Sequence, residues 1–207
     1  MELISNNNRE TDLQKLQTGL QNIPKTLSNF PTFNDFSQRF NPANWDKGSR
    51  LPTKCVTCNS PTLTDVNIAY GNGRAIAWLM AQLATFQEKI NVPNKMSSYE
   101  IETCAQTIYD NYHHLKATEL MLFFTRLLGG MYPVDWHGYV TPTKIVSALR
   151  EYFMPWRNEL LYKIERHEAE RRREEEAKTP GITWEEYCKL KGIEKENPLT
   201  KIYTEKK

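Results

Sequence analysis

The sequence predicts an all-α protein: a compact bundle of about four to six helices, with an extended N-terminal arm and a projecting charged C-terminal helix. Apolar residues recur at helical spacing from about residue 60 to residue 164, and capping residues, Gly and Pro punctuate these runs. Strand-like alternation is confined to short pieces. We therefore divide the chain of 207 residues into an arm at 1–59, a helical core at 60–164, and a charged helix with a tail at 165–207.

Composition favours a globular protein of the cytoplasm. Hydrophobic residues make up 39% of the chain and charged residues 25%, while the net charge is only +2. Because this charge is small, binding of nucleic acid would need a local basic patch. The apolar runs are shorter than the ~18 residues of a membrane span, and the N-terminus lacks the pattern of a secretory signal. The 4 scattered Cys predict reduced thiols.

The arm combines chain breakers with aromatic rings. A short helix is possible at 11–23, and the prolines beyond it predict turns and extended pieces, because Pro lacks a backbone donor and disfavours a helical residue before it. Burial of the rings should hold the arm against the main body. The prolines are Pro24, Pro31, Pro42 and Pro52, and the rings are Phe30, Phe33, Phe36, Phe40 and Trp45.

Periodicity and capping residues predict three helices in the middle of the chain. Residues 73–90 have an amphipathic pattern. Ser97, with Glu three residues later, has the pattern of a capping box and should begin the second helix. The third, at 119–128, is dense in Leu and Phe and should lie at the centre of the core. Gly129 and Gly130 should end it, because Gly adopts left-handed backbone conformations at low cost.

A further helix should begin at Thr141 as N-cap, with Pro142 in its first turn. Its apolar stripe stays in phase across Pro155, which predicts either a kinked helix or two helices that share a face. The stripe consists of Ile145, Leu149, Tyr152, Phe153, Trp156, Leu160 and Ile164.

Beyond Ile164 the apolar stripe stops while helix-forming residues continue. Residues 165–178 carry acidic and basic side chains at i,i+4 spacing, which predicts a solvated helix. A last short helix is expected at 184–191, followed by a mobile tail beyond about residue 195.

Cys55 and Cys58 have the C-x-x-C spacing with which two thiolates can hold one zinc ion. A tetrahedral site needs two further ligands, and the remaining Cys and His residues offer no second pair at ligand spacing. We therefore expect free thiols here, with neither a metal nor another cofactor. Three other motifs have ordinary interpretations: His113 and His114 as helix-end residues, 70–74 as a helix-start turn, and 171–173 as a solvated helical face.

The candidate functional site is the loop at 131–140 together with the cations near it. Gly, Pro and polar residues surround the rings of this loop and favour their exposure to solvent. Aromatic faces interleaved with cations suit a protein partner or stacking on the bases of single-stranded DNA, although buried packing would use the same rings. The candidate binding residues are Arg126, Tyr132, Asp135, Trp136, Tyr139, Lys144, Arg150 and Arg157.

One set of residues between about 60 and 160 carries a resemblance to a known family. The set is Lys95, Met96, Ser97, Ile101, Ala105, Ile108, Tyr112, Leu115, Glu119, Leu120, Phe123, Phe124, Gly130, Tyr132, Gly138, Ile145, Leu149 and Tyr152. With it the sequence resembles an uncharacterised family found in phages and mobile elements of Bacteroides-like bacteria. The resemblance implies a protein of the bacterial host cytoplasm in a mobile-element setting. The layout of its helices is also loosely similar to that of small helical loaders of phage replicative helicases.

We expect a non-enzymatic accessory factor of phage or mobile-element DNA metabolism that binds a protein partner. A replicative helicase is the first candidate partner and single-stranded DNA the second. The helical body, the charged helix and the aromatic loop suit contacts more than chemistry. Two alternatives stay open: a structural or interaction protein of the virion or of host takeover, and an enzyme whose site assembles around Asp135 and His137. The sequence leaves the oligomeric state open.

We predict that protein purified without chelators contains well under one zinc per chain by elemental analysis, because Cys55 and Cys58 leave half of a zinc tetrahedron unfilled. A stoichiometric metal that resists dialysis would contradict this prediction.

Overall fold

The computed structural model describes residues 24–45, 51–178, 181 and 184–192. In these ranges the regular elements are helices and the β-bridges are isolated, so the predicted all-α class is confirmed. Among the described residues, no helix is long and apolar enough to cross a membrane. The α-helices are α1 (Phe33–Arg39), α2 (Pro52–Thr57), α3 (Leu63–Tyr70), α4 (Arg74–Lys89), α5 (Ser98–Tyr112), α6 (Ala117–Leu128), α7 (Pro142–Ala148), α8 (Met154–Lys178) and α9 (Trp184–Lys191).

The chain divides into two compact units, residues 1–161 and 162–207. The hydrophobic core lies in the first unit, and α6 runs through its centre as predicted. Phe123 and Phe124 of α6 are fully buried. The ring of Phe124 lies 5.9 Å from that of Phe86 in α4, measured between centroids. Such edge and tilted contacts between buried rings add to the stabilisation from burial itself.

The rings that precede α2 are packed into this core, as the sequence predicts. Phe36 and Phe40 are buried, with their centroids 5.0 Å apart. Trp45 is almost fully buried and stacks on Phe124 at 5.4 Å. Residues 24–45 therefore contribute rings to the core.

Short helices make up much of this segment, which corrects the expectation of turns and extended pieces. Pro42 and Pro52 lie in the first turns of a 3-10 helix (Pro42–Asn44) and of α2, where a missing N–H breaks no helical hydrogen bond. Thr32 begins α1 and forms a capping box with Asp35. The prolines therefore start helices here instead of preventing them.

Gln82 of α4 fixes the same segment through buried hydrogen bonds. Its side-chain oxygen accepts from the indole Nε1 of Trp45 at 2.6 Å, and its Nε2 donates to the carbonyl of Phe40 at 3.0 Å. Since Gln82 is completely buried, these bonds replace those it would form with water. These bonds fix the positions of Phe40 and Trp45 along α4, which apolar packing alone would leave less defined.

The predicted helix ends are confirmed in the core. Ser97 accepts a hydrogen bond from the backbone N–H of Glu100 and forms the predicted capping box with it. Thr141 accepts from the backbone N–H of Lys144 and caps α7. After α6 it is Gly130 that has the left-handed conformation, with φ of +68°.

A π-helical segment at Leu149–Phe153 joins α7 to α8 and explains how the apolar stripe crosses Pro155. Pro155 has no N–H for the carbonyl of Glu151, and its ring would collide with that carbonyl in a regular α-helix. The wider π turn relieves this conflict. Leu149 and Phe153 are both fully buried, so the two helices share a face across the segment. This is one of the two alternatives that the sequence predicts, the other being a single kinked helix.

In the second unit, residues 165–178 of α8 are all exposed, as expected for a solvated helix. Arg166 pairs with Glu170 at 3.0 Å, an i,i+4 arrangement that supports an exposed helix by a few tenths of a kcal/mol. The predicted short helix is α9. The possible helix at 11–23 and the tail beyond 195 lie outside the described residues.

A buried ion pair joins α6 to α8 within the first unit. The Glu119 side chain is completely buried, and its Oε1 accepts a 2.6 Å hydrogen bond from Nε of Arg157. Its other oxygen accepts from the backbone N–H of Lys116 at 2.8 Å and so caps α6. Both carboxylate oxygens are therefore satisfied, as a charge removed from water requires.

We predict that Arg157→Met lowers the free energy of unfolding by about 3–5 kcal/mol, because it leaves the Glu119 carboxylate buried without its cation. Urea unfolding followed by circular dichroism measures this loss. Arg150→Met is the matched control and should have almost no effect, since Arg150 and its partner Glu151 are exposed. Adding Glu119→Gln to Arg157→Met should recover part of the loss, and equal losses for the two arginine variants would contradict the prediction.

Candidate functional site

The basic residues of the predicted site are largely engaged within the protein. Arg157 belongs to the buried pair with Glu119 described above. Arg150 pairs with its neighbour Glu151 at 2.7 Å. The Lys144 ammonium donates to two loop carbonyls, that of Trp136 at 2.6 Å and that of Tyr139 at 3.4 Å. Lys144 therefore holds the loop in place.

Asp135 and His137 form a turn at the tip of the loop. One oxygen of Asp135 accepts from the backbone N–H of His137 at 3.0 Å, and the other lies 3.0 Å from its Nε2. His137 has a left-handed φ of 44°, a conformation that this local bonding supports. The side chains are 68% and 75% exposed, so water competes directly with their contact. The arrangement shapes the turn.

Trp136 and Tyr139 have different surroundings although both lie in the predicted loop. Trp136 is half-buried, and its ring lies 5.7 Å from that of Phe86. Tyr139 is 55% exposed. Asn94 pairs with the backbone on either side of Tyr139, donating to the carbonyl of Gly138 and accepting from the N–H of Val140. The loop is thus anchored from within, and Tyr139 is its exposed ring.

An open cleft of about 410 Å³ lies between the end of α6, the loop and the start of α8. The guanidinium carbon of Arg126 lies 3.5 Å from the centroid of the Trp156 ring, in a close cation–π contact. Tyr132 stacks on Tyr152 at 5.7 Å. We call this site the Arg126 cleft, and the residues that line it are Arg126, Met131, Tyr132, Glu151, Tyr152 and Trp156.

The electrostatics of the Arg126 cleft centre on two polar groups. Tyr132 is 8% exposed, and burial raises the pKa of its hydroxyl, while hydrogen bonding to the Arg126 side chain and the positive charge of Arg126 work in the opposite direction. Among the described residues, the proton of this hydroxyl has no acceptor, and no carboxylate pairs with Arg126. The acidic residue of the lining, Glu151, pairs with Arg150.

Two residues of this cleft, Arg126 and Tyr132, belong to the site that the sequence predicts. Met131 and Glu151 are not among the predicted site residues, and Tyr152 and Trp156 belong to the predicted apolar stripe. The sequence did contain a signal for Tyr152 and Trp156, because two rings four residues apart in a helix lie on the same face, and Arg and Glu residues are their neighbours in the sequence. It contained no signal for the position of Arg126, which lies on another helix.

A second cavity, of about 310 Å³, contains the predicted thiols. Burial, and next the neighbouring Cys58, raise the pKa of the Cys55 thiol. Cys55 lies within α2, and Cys58 is the residue that follows its last turn. Lys116 donates to the carbonyls of Val56 and Cys58 and so caps this helix end. Among the described residues, no group of three or more His, Cys, Asp or Glu could hold a metal ion.

These features define an all-α protein with an open cleft of aromatic rings and one arginine. No curated protein and no solved structure matches the chain. The model of a family of unknown function, DUF6633, matches residues 95–198, and the chain belongs to this family. All residues that line the Arg126 cleft lie inside the matched region.

We predict that Trp136→Ala lowers the free energy of unfolding by about 2 kcal/mol, since it removes a half-buried ring from its contact with Phe86. Tyr139→Ala is the matched control and should leave the melting temperature nearly unchanged, because its ring is mostly in solvent. Equal melting temperatures for Trp136→Ala and the unmodified protein would show that the ring does not anchor the loop.

Proposed function

We propose that this protein is a non-enzymatic accessory factor of phage or mobile-element DNA metabolism that binds a protein partner through the Arg126 cleft. The observation that carries the proposal is the 3.5 Å stacking of Arg126 on Trp156 in an open cleft. Arg, Trp, Tyr and Met are enriched at the centres of protein interfaces, where a few such side chains supply most of the binding energy. This cleft combines all four types.

An exposed apolar residue of the cleft supports the same proposal. Met131 is 66% exposed and lines the cleft. Single exposed apolar residues are common on protein surfaces and need no function. Met131 gains significance from its position beside Arg126, because apolar residues around a stacked arginine exclude water from the contact that the arginine makes.

The engaged cations favour a protein over single-stranded DNA as the partner. Binding to a phosphate backbone draws on several cations along one surface. Of the predicted cations, Arg150 and Arg157 are neutralised by carboxylates, and Lys144 is bonded to carbonyls. Of the predicted cations, Arg126 remains to bind a ligand. A single cation suits a protein side chain better than a nucleic acid.

The resemblance to a family of phages and mobile elements supports the proposed setting, and the similarity of layout to helicase loaders makes a replicative helicase the first partner to test. The proposal of a non-enzymatic role rests on the site itself. The Asp135–His137 pair lies in solvent and serves its own turn, which is a poor environment for acid–base chemistry because water screens both groups.

We predict that a photo-crosslinking amino acid at position 131 captures the replicative helicase of the same phage or element in cells. The same photo-crosslinking amino acid placed at position 99 is the control, because Tyr99 is 77% exposed and does not line the cleft. With purified helicase, Arg126→Ala should weaken binding at least tenfold, about 1.4 kcal/mol or more.

Arg74→Ala is the matched variant for that measurement. Arg74 also lies over an aromatic ring, with its guanidinium carbon 5.1 Å from the centroid of Phe33, but it is not part of the cleft. It should leave binding unchanged. Equal crosslinking at positions 131 and 99, adducts with DNA alone, or equal weakening by the two alanine variants would contradict the proposed function.

A further inference from the structure

We infer that the Arg126 cleft recognises a carboxylate beside a large apolar side chain, so that its ligand is a protein segment with Asp or Glu next to an aromatic or aliphatic residue. The inference rests on the proposed function, because it names the chemistry of the partner at the same site. Three properties of the cleft carry it: the N–H edge of Arg126 that no carboxylate occupies, the Tyr132 hydroxyl whose proton has no acceptor, and the apolar surface around them.

The stacking of Arg126 leaves its hydrogen-bond donors available. A guanidinium is planar, and its N–H groups point outward in that plane. The ring of Trp156 covers the face of the group at 3.5 Å, and in the described part of the chain no carboxylate pairs with its edge. A carboxylate fits such an edge with two parallel hydrogen bonds. Trp156 therefore orients Arg126 for a planar acceptor.

The hydroxyl of Tyr132 needs the same kind of partner. It is buried, and its oxygen can accept from Arg126, but Arg126 can only donate, so among the described residues the proton of the hydroxyl has no acceptor. Two neighbouring donors without an acceptor are best satisfied by one acceptor between them.

The rest of the lining favours a carboxylate over a phosphate. Arg126 is the cation of the lining, since Glu151 is paired with Arg150, and a single guanidinium balances a monoanion more completely than a dianion. Met131 is 66% exposed, and the rings of Tyr152 and Trp156 are partly exposed, so an apolar side chain has surface to cover. A thioether next to aromatic rings adapts readily to different apolar shapes. An acidic side chain flanked by an apolar one matches both features.

The test uses the full chain with ¹³C-labelled methionine methyl groups and two small probes, 3-phenylpropionate and its neutral counterpart 3-phenylpropanamide. Met131→Leu assigns the Met131 methyl signal. We expect the carboxylate to shift this signal with a Kd in the low millimolar range, because a probe with few non-hydrogen atoms can gain only a small free energy of binding. We expect at least fivefold weaker binding of the amide, because it cannot form a charge-assisted pair with Arg126.

Three variants connect this preference to the proposed groups. Arg126→Gln should make the two probes bind equally. Tyr132→Phe should lower the affinity for the carboxylate two- to threefold without lowering the melting temperature, because it removes a buried O–H whose proton has no acceptor. Arg74→Gln, the variant of the other stacked arginine, should leave both affinities unchanged.

Equal binding of the two probes to the unmodified protein, no Met131 shift with the carboxylate, or a preference that survives Arg126→Gln would overturn the inference. Inorganic phosphate that binds the cleft as tightly as the carboxylate would overturn it as well. Helicase binding that depends on Arg126 while the probes show no carboxylate preference would refute this inference alone. A clear preference without any helicase binding would refute the proposed function alone.

Discussion

The buried carboxylate of Glu119 is the constraint on which the arrangement of the core depends. It has no access to water, and its two oxygens are satisfied by Arg157 of α8 and by the backbone N–H of Lys116. A buried charge that lost either partner would be costly, so α8 must begin where Arg157 reaches the first turn of α6. Trp156 precedes Arg157 and is thereby held close to Arg126 in the last turn of α6. The Arg126 cleft is a consequence of this docking.

The π-helical segment before α8 links this constraint to the surface. Pro155 cannot continue a regular helix after Glu151, and the wider turn at Leu149–Phe153 absorbs the misfit. Inside that segment Phe153 points into the core, while Tyr152 lines the cleft and stacks on Tyr132. Neighbouring residues of a helical turn point in different directions, so these two adjacent rings serve the core and the candidate site.

Sequence patterns predicted helix ends correctly where one residue type has one role, as at N-caps. They were less successful at prolines, which can either break a helix or begin one. Ser97 and Thr141 are N-caps, as their neighbours in sequence indicate. The prolines before residue 60 were interpreted as helix breakers, but Pro42 and Pro52 lie in first turns, where Pro favours a helix. The capping box of Thr32 uses Asp in place of the more usual Glu, so that helix start was not recognised.

By itself, the sequence determined the helical class, most helix ends in the core and the solvated charged helix, because periodicity and capping act over a few residues. The tertiary structure decided which charges are free. Arg126, Arg150 and Arg157 look alike as sequence, yet Arg157 finds its carboxylate 38 residues away and Arg150 finds one next to it. Burial of Tyr132 and the stacking of Arg126 on Trp156 were likewise decided by helix packing. Such pairings depend on long-range contacts, which no local pattern of residues encodes.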